Sequence, residues 1–219
     1  MKLFSTPASH VTRKCVVTAM ELGIRDRIEL VPTVWPHNWA TDTTEYDPDF
    51  LAANPAARCP ALVTEGGITL SESTVICDYL NELGDFALCP RDGAERWQIM
   101  SLVAIATGGI MEAQGFRRAE LLRKRENSEF KHEFSPRYVR KMMDRQDRCY
   151  GELDRRVADF SGKINLATIA IAVACASSDF RYPEDDWRLG APRLGAWYDE
   201  YRHRPAMQAT MQSETPTKG

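Results

Sequence analysis

The chain has 219 residues, of which 43% are hydrophobic, with 28 Lys and Arg against 31 Asp and Glu. That length can bury one large core or two small ones, and a net charge of -3 carries no basic footprint for nucleic acid or anionic membrane. Six cysteines, at 15, 59, 77, 89, 149 and 175, show neither CxxC nor Cys/His ligand spacing, which argues against a metal site or a disulfide framework and for free thiols.

Met1-Lys2-Leu3-Phe4 lacks the apolar core of a signal peptide, and no run approaches membrane-spanning length, so a cytoplasmic address is expected. Lys2 to Phe4 reads as a first strand, ended by Ser5, Thr6 and Pro7. From Ser9 the positions Val11, Cys15, Thr18, Ala19 and Leu22 share one helical face, and Gly23 ends the helix. Cys15 then points inward as a small core residue. Ile28 to Val31 is a second strand, and strand, helix, strand implies a right-handed parallel crossover. Residues 32–46 lack periodicity and form a loop whose Trp35, His37 and Trp39 either cap the core or wall a cleft. Asp47-Pro48-Asp49 opens a short helix to about Ala53.

The span from Asn54 to Leu83 has the densest signals. Cys59-Pro60 precedes the apolar Ala61-Leu62-Val63, and proline is tolerated at a strand start. Glu65-Gly66-Gly67 then turns the chain into Ile68-Thr69-Leu70, which reads as an antiparallel hairpin. Ser71-Glu72-Ser73-Thr74 opens a helix carrying Val75, Ile76, Tyr79, Leu80 and Leu83, with the first serine as its expected cap. As a site, this span can hold an extended, peptide-like anion. A cis Cys59–Pro60 bond would offer the backbone of Cys59 to a ligand. Unpartnered N–H groups at Glu72 and Ser73, with the Ser73 hydroxyl, can receive a carboxylate, and Glu72 can pair with an ammonium. Ser9 either caps its helix or donates a hydrogen bond to a ligand, and Ser5, Thr6 or the His10 imidazole stand near enough to share that role.

Residues 84–91 read as a linker, and everything beyond is helical in pattern. Trp97, Met100, Ser101, Ala104, Ile105, Gly108 and Met111 make one stripe, and the charged stretch Arg117 to Glu126 continues that helix as a solvated face. A helix opening at Ser135-Pro136 aligns Tyr138, Met142, Arg145, Cys149, Leu153 and Val157. Asn165 caps an almost wholly apolar helix to Ala176, with Ile164 and Ile169 spaced as a staple and Thr168 as the weak half of a capping box. Leu194, Trp197, Tyr198 and Tyr201 form the last stripe before Arg204-Pro205. His132 and His203 are expected in solvent, and residues 212–219 as a disordered tail.

The order Asn54-Pro55, Cys59-Pro60, hairpin, Glu72-Ser73 and an apolar helix ending Tyr79-Leu80, with Ser9 and Arg13-Lys14 ahead of it and the segment from Asn165 to Arg181 behind, resembles the glutathione S-transferase superfamily. Within it, the chain is most similar to the bacterial group with a serine at the start of the first helix. The resemblance implies an α/β plus all-α fold: a thioredoxin-like domain over residues 1–83, the linker, and a helical domain over residues 92–211. It implies glutathione held by Ser9, Cys59, Pro60, Glu72 and Ser73, its thiolate stabilised at Ser9, and attack on a small apolar electrophile lined by His10, Gly108, Met111, Glu112 and Gly115. It further implies a homodimer in which the helix after Ser73 packs on the partner's helical domain, and a structural Arg181 paired within the helical domain. Glutathione-dependent aryl-ether cleavage or dehalogenation, and a non-catalytic interaction module, are the rival readings. The family's frequent proline after the serine is His10 here, and the acidic residue of its capping box is Thr168.

Overall fold

The structure, a computed structural model, describes residues 1–33, 47–124 and 131–214. Trp35, His37 and Trp39 lie outside them. Strand β1 (Lys2–Ser5), helix α1 (His10–Glu21) and strand β2 (Glu29–Pro32) form the expected parallel crossover, followed by α2 (Pro48–Ala53), the hairpin β3 (Ala61–Val63) and β4 (Thr69–Ser71), and α3 (Ser73–Leu83). The sheet order is β2-β1-β3-β4, with β3 antiparallel to both neighbours. This is the thioredoxin-like arrangement. The hairpin closes through Thr64 N to Ile68 O at 2.9 Å, which leaves a three-residue loop with Gly67 at φ 79, a backbone position that glycine occupies without steric cost.

The helical half comprises α4 (Gly93–Ala104), a π-helical stretch (Ile105–Met111), α5 (Glu112–Arg123), α6 (Pro136–Arg155), α7 (Val157–Phe160), α8 (Leu166–Arg181), α9 (Trp187–Gly190), α10 (Pro192–Tyr201) and α11 (Pro205–Gln208). At its centre is α8, buried from Leu166 through Ser178 and packed against α1, α4 and the π-helical stretch. Its capping box is complete: Asn165 Oδ1 accepts from Thr168 N at 3.0 Å, and Thr168 Oγ1 accepts from Asn165 N at 2.9 Å. Threonine thus fills the role that was expected to be weakened. Of the two positions spaced as a staple, Ile169 is buried and Ile164 is 43% exposed.

Several expectations are corrected. Helix α4, the π-helical stretch and α5 run on as one helix, Gly93–Arg123, long and apolar enough by length and composition to span a membrane, although its inner face packs on α8. The buried positions there include Ile99, Leu102, Val103, Ala106 and Ile110, outside the expected stripe; of the stripe itself Met111 is buried, Met100 and Ile105 pack partly buried against the core, and Trp97 is 68% exposed. Arg117 and Glu120 are buried and not on a solvated face: Arg117 pairs with Asp185 and lies 3.9 Å over the Tyr182 ring. The linker is fastened by Asn81, whose side chain bonds Leu88 N, Cys89 N and Cys89 O. Gln212, expected in a disordered tail, is fastened: its Nε2 donates to the Ala8 carbonyl at 3.0 Å.

The two halves are joined through α1. Arg13 donates to Met207 O at 2.9 Å and Thr210 Oγ1 at 3.2 Å, and Arg204 grips the Glu21 carboxylate at 2.9 and 2.7 Å. Among the described residues no group of three or more His, Cys, Asp or Glu is arranged to hold a metal ion.

Candidate functional site

Strand register brings three distant pieces to one end of the sheet. Phe4 pairs with Ala61 and Ala61 with Ser71, so the exit of β1, the entry of β3 and the exit of β4 form a single row. The chain leaves this row into Ser9 and α1, enters it through Cys59-Pro60, and leaves it again into Glu72 and α3. Two helix N-termini therefore stand beside one turn, whose Cys59–Pro60 peptide is cis.

Ser9 caps α1. Its Oγ accepts from Thr12 N at 3.2 Å and from Thr12 Oγ1 at 2.9 Å. With both lone pairs engaged, its own hydrogen is left as a donor, and the first turn of α1 adds positive potential. Capping and ligand donation, alternatives on sequence grounds, are compatible here. His10 turns to the helical half, where the Met111 carbonyl accepts a hydrogen bond from its ring while Nδ1 has no partner. Burial, joined by the charges of Arg181, Lys14 and Arg118, brings its pKa down to about 3 against that bond. The imidazole is therefore neutral near pH 7 and adds no positive charge.

The tip of α3 departs from expectation. Ser71 belongs to β4, and the cap is Glu72, at φ 74. Its carboxylate accepts from Thr74 N at 2.9 Å, Val75 N at 3.4 Å and Ser73 Oγ at 3.0 Å, leaving Ser73 2% exposed. The seat expected to be open is filled by the chain's own carboxylate, in the position where an incoming anion would be held. Burial works against ionisation of Glu72, yet the Thr74 N–H and the Lys14 charge outweigh it and hold the carboxyl below its ordinary range.

Lys14 is a residue whose role the sequence pattern did not disclose. It is 2% exposed, and Nζ donates to Thr74 Oγ1 and Thr107 Oγ1, both at 3.1 Å. A buried ammonium thus lies beneath the α3 tip and ties it to the π-helical stretch. The available signal was a lysine next to Cys15 on a helix whose neighbouring positions are apolar. Cys15 is fully buried, with its thiol pushed up by burial, and burial likewise pushes the Cys59 thiol up to about 12. Neither is set up as a nucleophile. Among the described residues no turn or loop hydrogen bond engages the Cys59 peptide groups.

The residues expected to line an electrophile pocket are dispersed. Met111 has 0% exposure, and its carbonyl accepts from the His10 ring. Glu112 is engaged by Arg145 at 2.8 Å, and Arg145 also donates to the Gly108 carbonyl; both contacts point toward α6. Gly115 is exposed. What does stand beside Ser9 is Arg181, which donates to the Ala8 carbonyl and so bridges the two halves instead of pairing within the helical one. Arg118 is paired with Glu214 at 3.6 Å.

Residues 8–83 match the family model for the glutathione S-transferase N-terminal domain, and residues 122–200 that for the C-terminal domain. A glutathione transferase family member from Pseudomonas fluorescens Pf-5, solved with bound glutathione, is 32% identical with a TM-score of 0.86, the match covering 97% of this chain and 99% of that one. A structure from the same organism with bound S-(propanoic acid)-glutathione is 32% identical with a TM-score of 0.79, covering 98% and 100%. YibF of Escherichia coli strain K12, described as an uncharacterised GST-like protein, is 28% identical over 198 residues, 89% of this chain and 90% of its own length.

Proposed function

The chain belongs to the glutathione S-transferase family, and from that premise we propose that it binds glutathione, ionises its thiol at Ser9 and adds the thiolate to a small electrophile, as a cytoplasmic homodimer of the bacterial serine group. The observation that carries this reading is the row Phe4, Ala61, Ser71, which sets the Ser9 hydroxyl, the Cys59-Pro60 turn and the α3 tip side by side.

In this proposal the cysteinyl amide of glutathione runs along the Cys59 backbone as an added strand would. Its γ-glutamyl carboxylate replaces the Glu72 carboxylate on Thr74 N and Ser73 Oγ, above the buried Lys14 charge. Glu72, released, pairs with the ammonium on the same carbon. The thiol then lies at Ser9, where a hydroxyl donor and the helix end favour the charged form. The sulfur's electron pair forms the bond to carbon, and either a leaving group departs with its own pair or a proton completes the adduct. Bound glutathione in the Pseudomonas relative supports the first half of this account, and its S-(propanoic acid) conjugate supports the second.

Isothermal calorimetry with glutathione, followed by product analysis with a neutral haloarene, tests the proposal. Heat of binding and a thioether product are expected. Binding without product would favour the non-catalytic module, and a phenol released from an aryl ether would favour ether cleavage.

A further inference from the structure

The surroundings of Ser9 carry an imbalance of charge that glutathione does not use. Arg181 reaches the Ala8 carbonyl, the acceptor directly ahead of Ser9, with one nitrogen, while its Nε and Nη1 are buried without a partner. Gln212 shares that same carbonyl through Nε2 at 3.0 Å, and its Oε1 is likewise buried and unpartnered. His10, next in the chain to Ser9, leaves Nδ1 unpartnered as well. Such groups are costly unless something satisfies them.

Their charges add in one direction. His10 feels Arg181, Lys14 and Arg118 together, and the one acid facing Arg181 and Arg118 among the described residues is Glu214, whose side chain is 71% exposed and 3.6 Å away from Arg118. A pair that open contributes little. Lys14 is committed to Thr74 and Thr107 under the α3 tip, which leaves Arg181, at the carbonyl directly ahead of Ser9, with two unpartnered nitrogens, and Arg118 held by that open pair. A guanidinium fork fits a carboxylate with two parallel hydrogen bonds.

We propose that the electrophile taken by this site bears a carboxylate, received by Arg181 beside Ser9 with Arg118 adding its charge. The inference rests on the glutathione reading above and narrows its apolar electrophile to a short carbon chain or ring with an acid end. The acid gives the substrate its anchor, and its electrophilic carbon is thereby turned toward Ser9.

The test compares glutathione conjugates that differ in one charge: S-carboxymethyl against S-carbamoylmethyl, and S-(2-carboxyethyl) against S-(2-carbamoylethyl), each titrated calorimetrically into the full chain beside glutathione itself. In at least one pair the acid is expected to bind about tenfold tighter than its amide, with the ratio falling toward one in Arg118→Gln and dropping in Arg181→Lys. The ratio is internal to each variant, so partial loss of folded protein cancels. Glutathione binding with equal affinity for acid and amide at both lengths would overturn the inference and leave the glutathione site standing. Failure of glutathione and all four conjugates to bind would remove both.

Discussion

Ser9 and His10 are neighbours in sequence with opposite assignments in space. Ser9 stays at the end of the sheet with a free donor, whereas His10 is drawn into the joint between the two halves by the Met111 carbonyl and kept neutral. A folded pKa of about 3 against an ordinary 6.5 means that the unfolded chain binds the extra proton between those values. His10 therefore leaves stability intact above about pH 6.5 and subtracts from it as pH falls, by about 2 kcal/mol at pH 5. Thermal unfolding followed from pH 7.5 to 5 should show that decline in the wild type and a shallower one in His10→Gln, which keeps a donor without the titration. Parallel declines would contradict the assignment.

At the scale of elements, helix termini decide both fold and site. The α8 cap was readable because Asn165 and Thr168 hydrogen-bond locally, within four residues. Asn165→Ala should lower the unfolding free energy in urea by about 1 kcal/mol; no change would mean that the box is redundant in so buried a helix. The α3 tip was readable in kind but not in state. Sequence places Glu72 and Ser73 at a helix start, but the folding of the Glu72 carboxylate onto Thr74 and Ser73 depends on φ 74 and on Lys14, some sixty residues away in the chain. Lys14→Met should reduce glutathione affinity about tenfold and raise the Glu72 carboxyl pKa, read by NMR titration, because the charge favouring an anion there is gone. Unchanged affinity would show that the N–H groups suffice alone.

The same division holds for the whole molecule. Local periodicity carried the β1-α1-β2 crossover, the hairpin and the apolar α8, since each depends on neighbours within a few residues. It failed where a helix has apolar residues all around. On α4 the stripe through Trp97 and Met100 was as good a candidate for the core as the one through Ile99, Leu102 and Val103, and only the position of α8 separates them. The exposed stripe is informative in its turn. Val75, at 50% exposure, lines a groove of about 460 Å³ between α3 and α4 with Tyr79, Arg96 and Met100, and Trp97, at 68% exposure, follows Arg96 on α4. That is the face on which the proposed homodimer would close. Trp97→Glu should shift the chain from dimer to monomer in sedimentation velocity at micromolar concentration; a dimer of unaltered stability would place the interface elsewhere. The partners of Arg13, Arg181 and Gln212 were not legible, and that of Arg181 was misassigned to the helical half, because they lie across the joint between the two halves.

Ionisation of the bound thiol is the step on which the proposed chemistry turns. Thiolate absorbance of the protein–glutathione complex, titrated against pH, reads it directly. The predicted half-point lies at or below about 7.5, moving back toward about 8.5 in Ser9→Ala while that variant still binds glutathione. A wild-type complex that titrates like free glutathione would contradict the role given to Ser9.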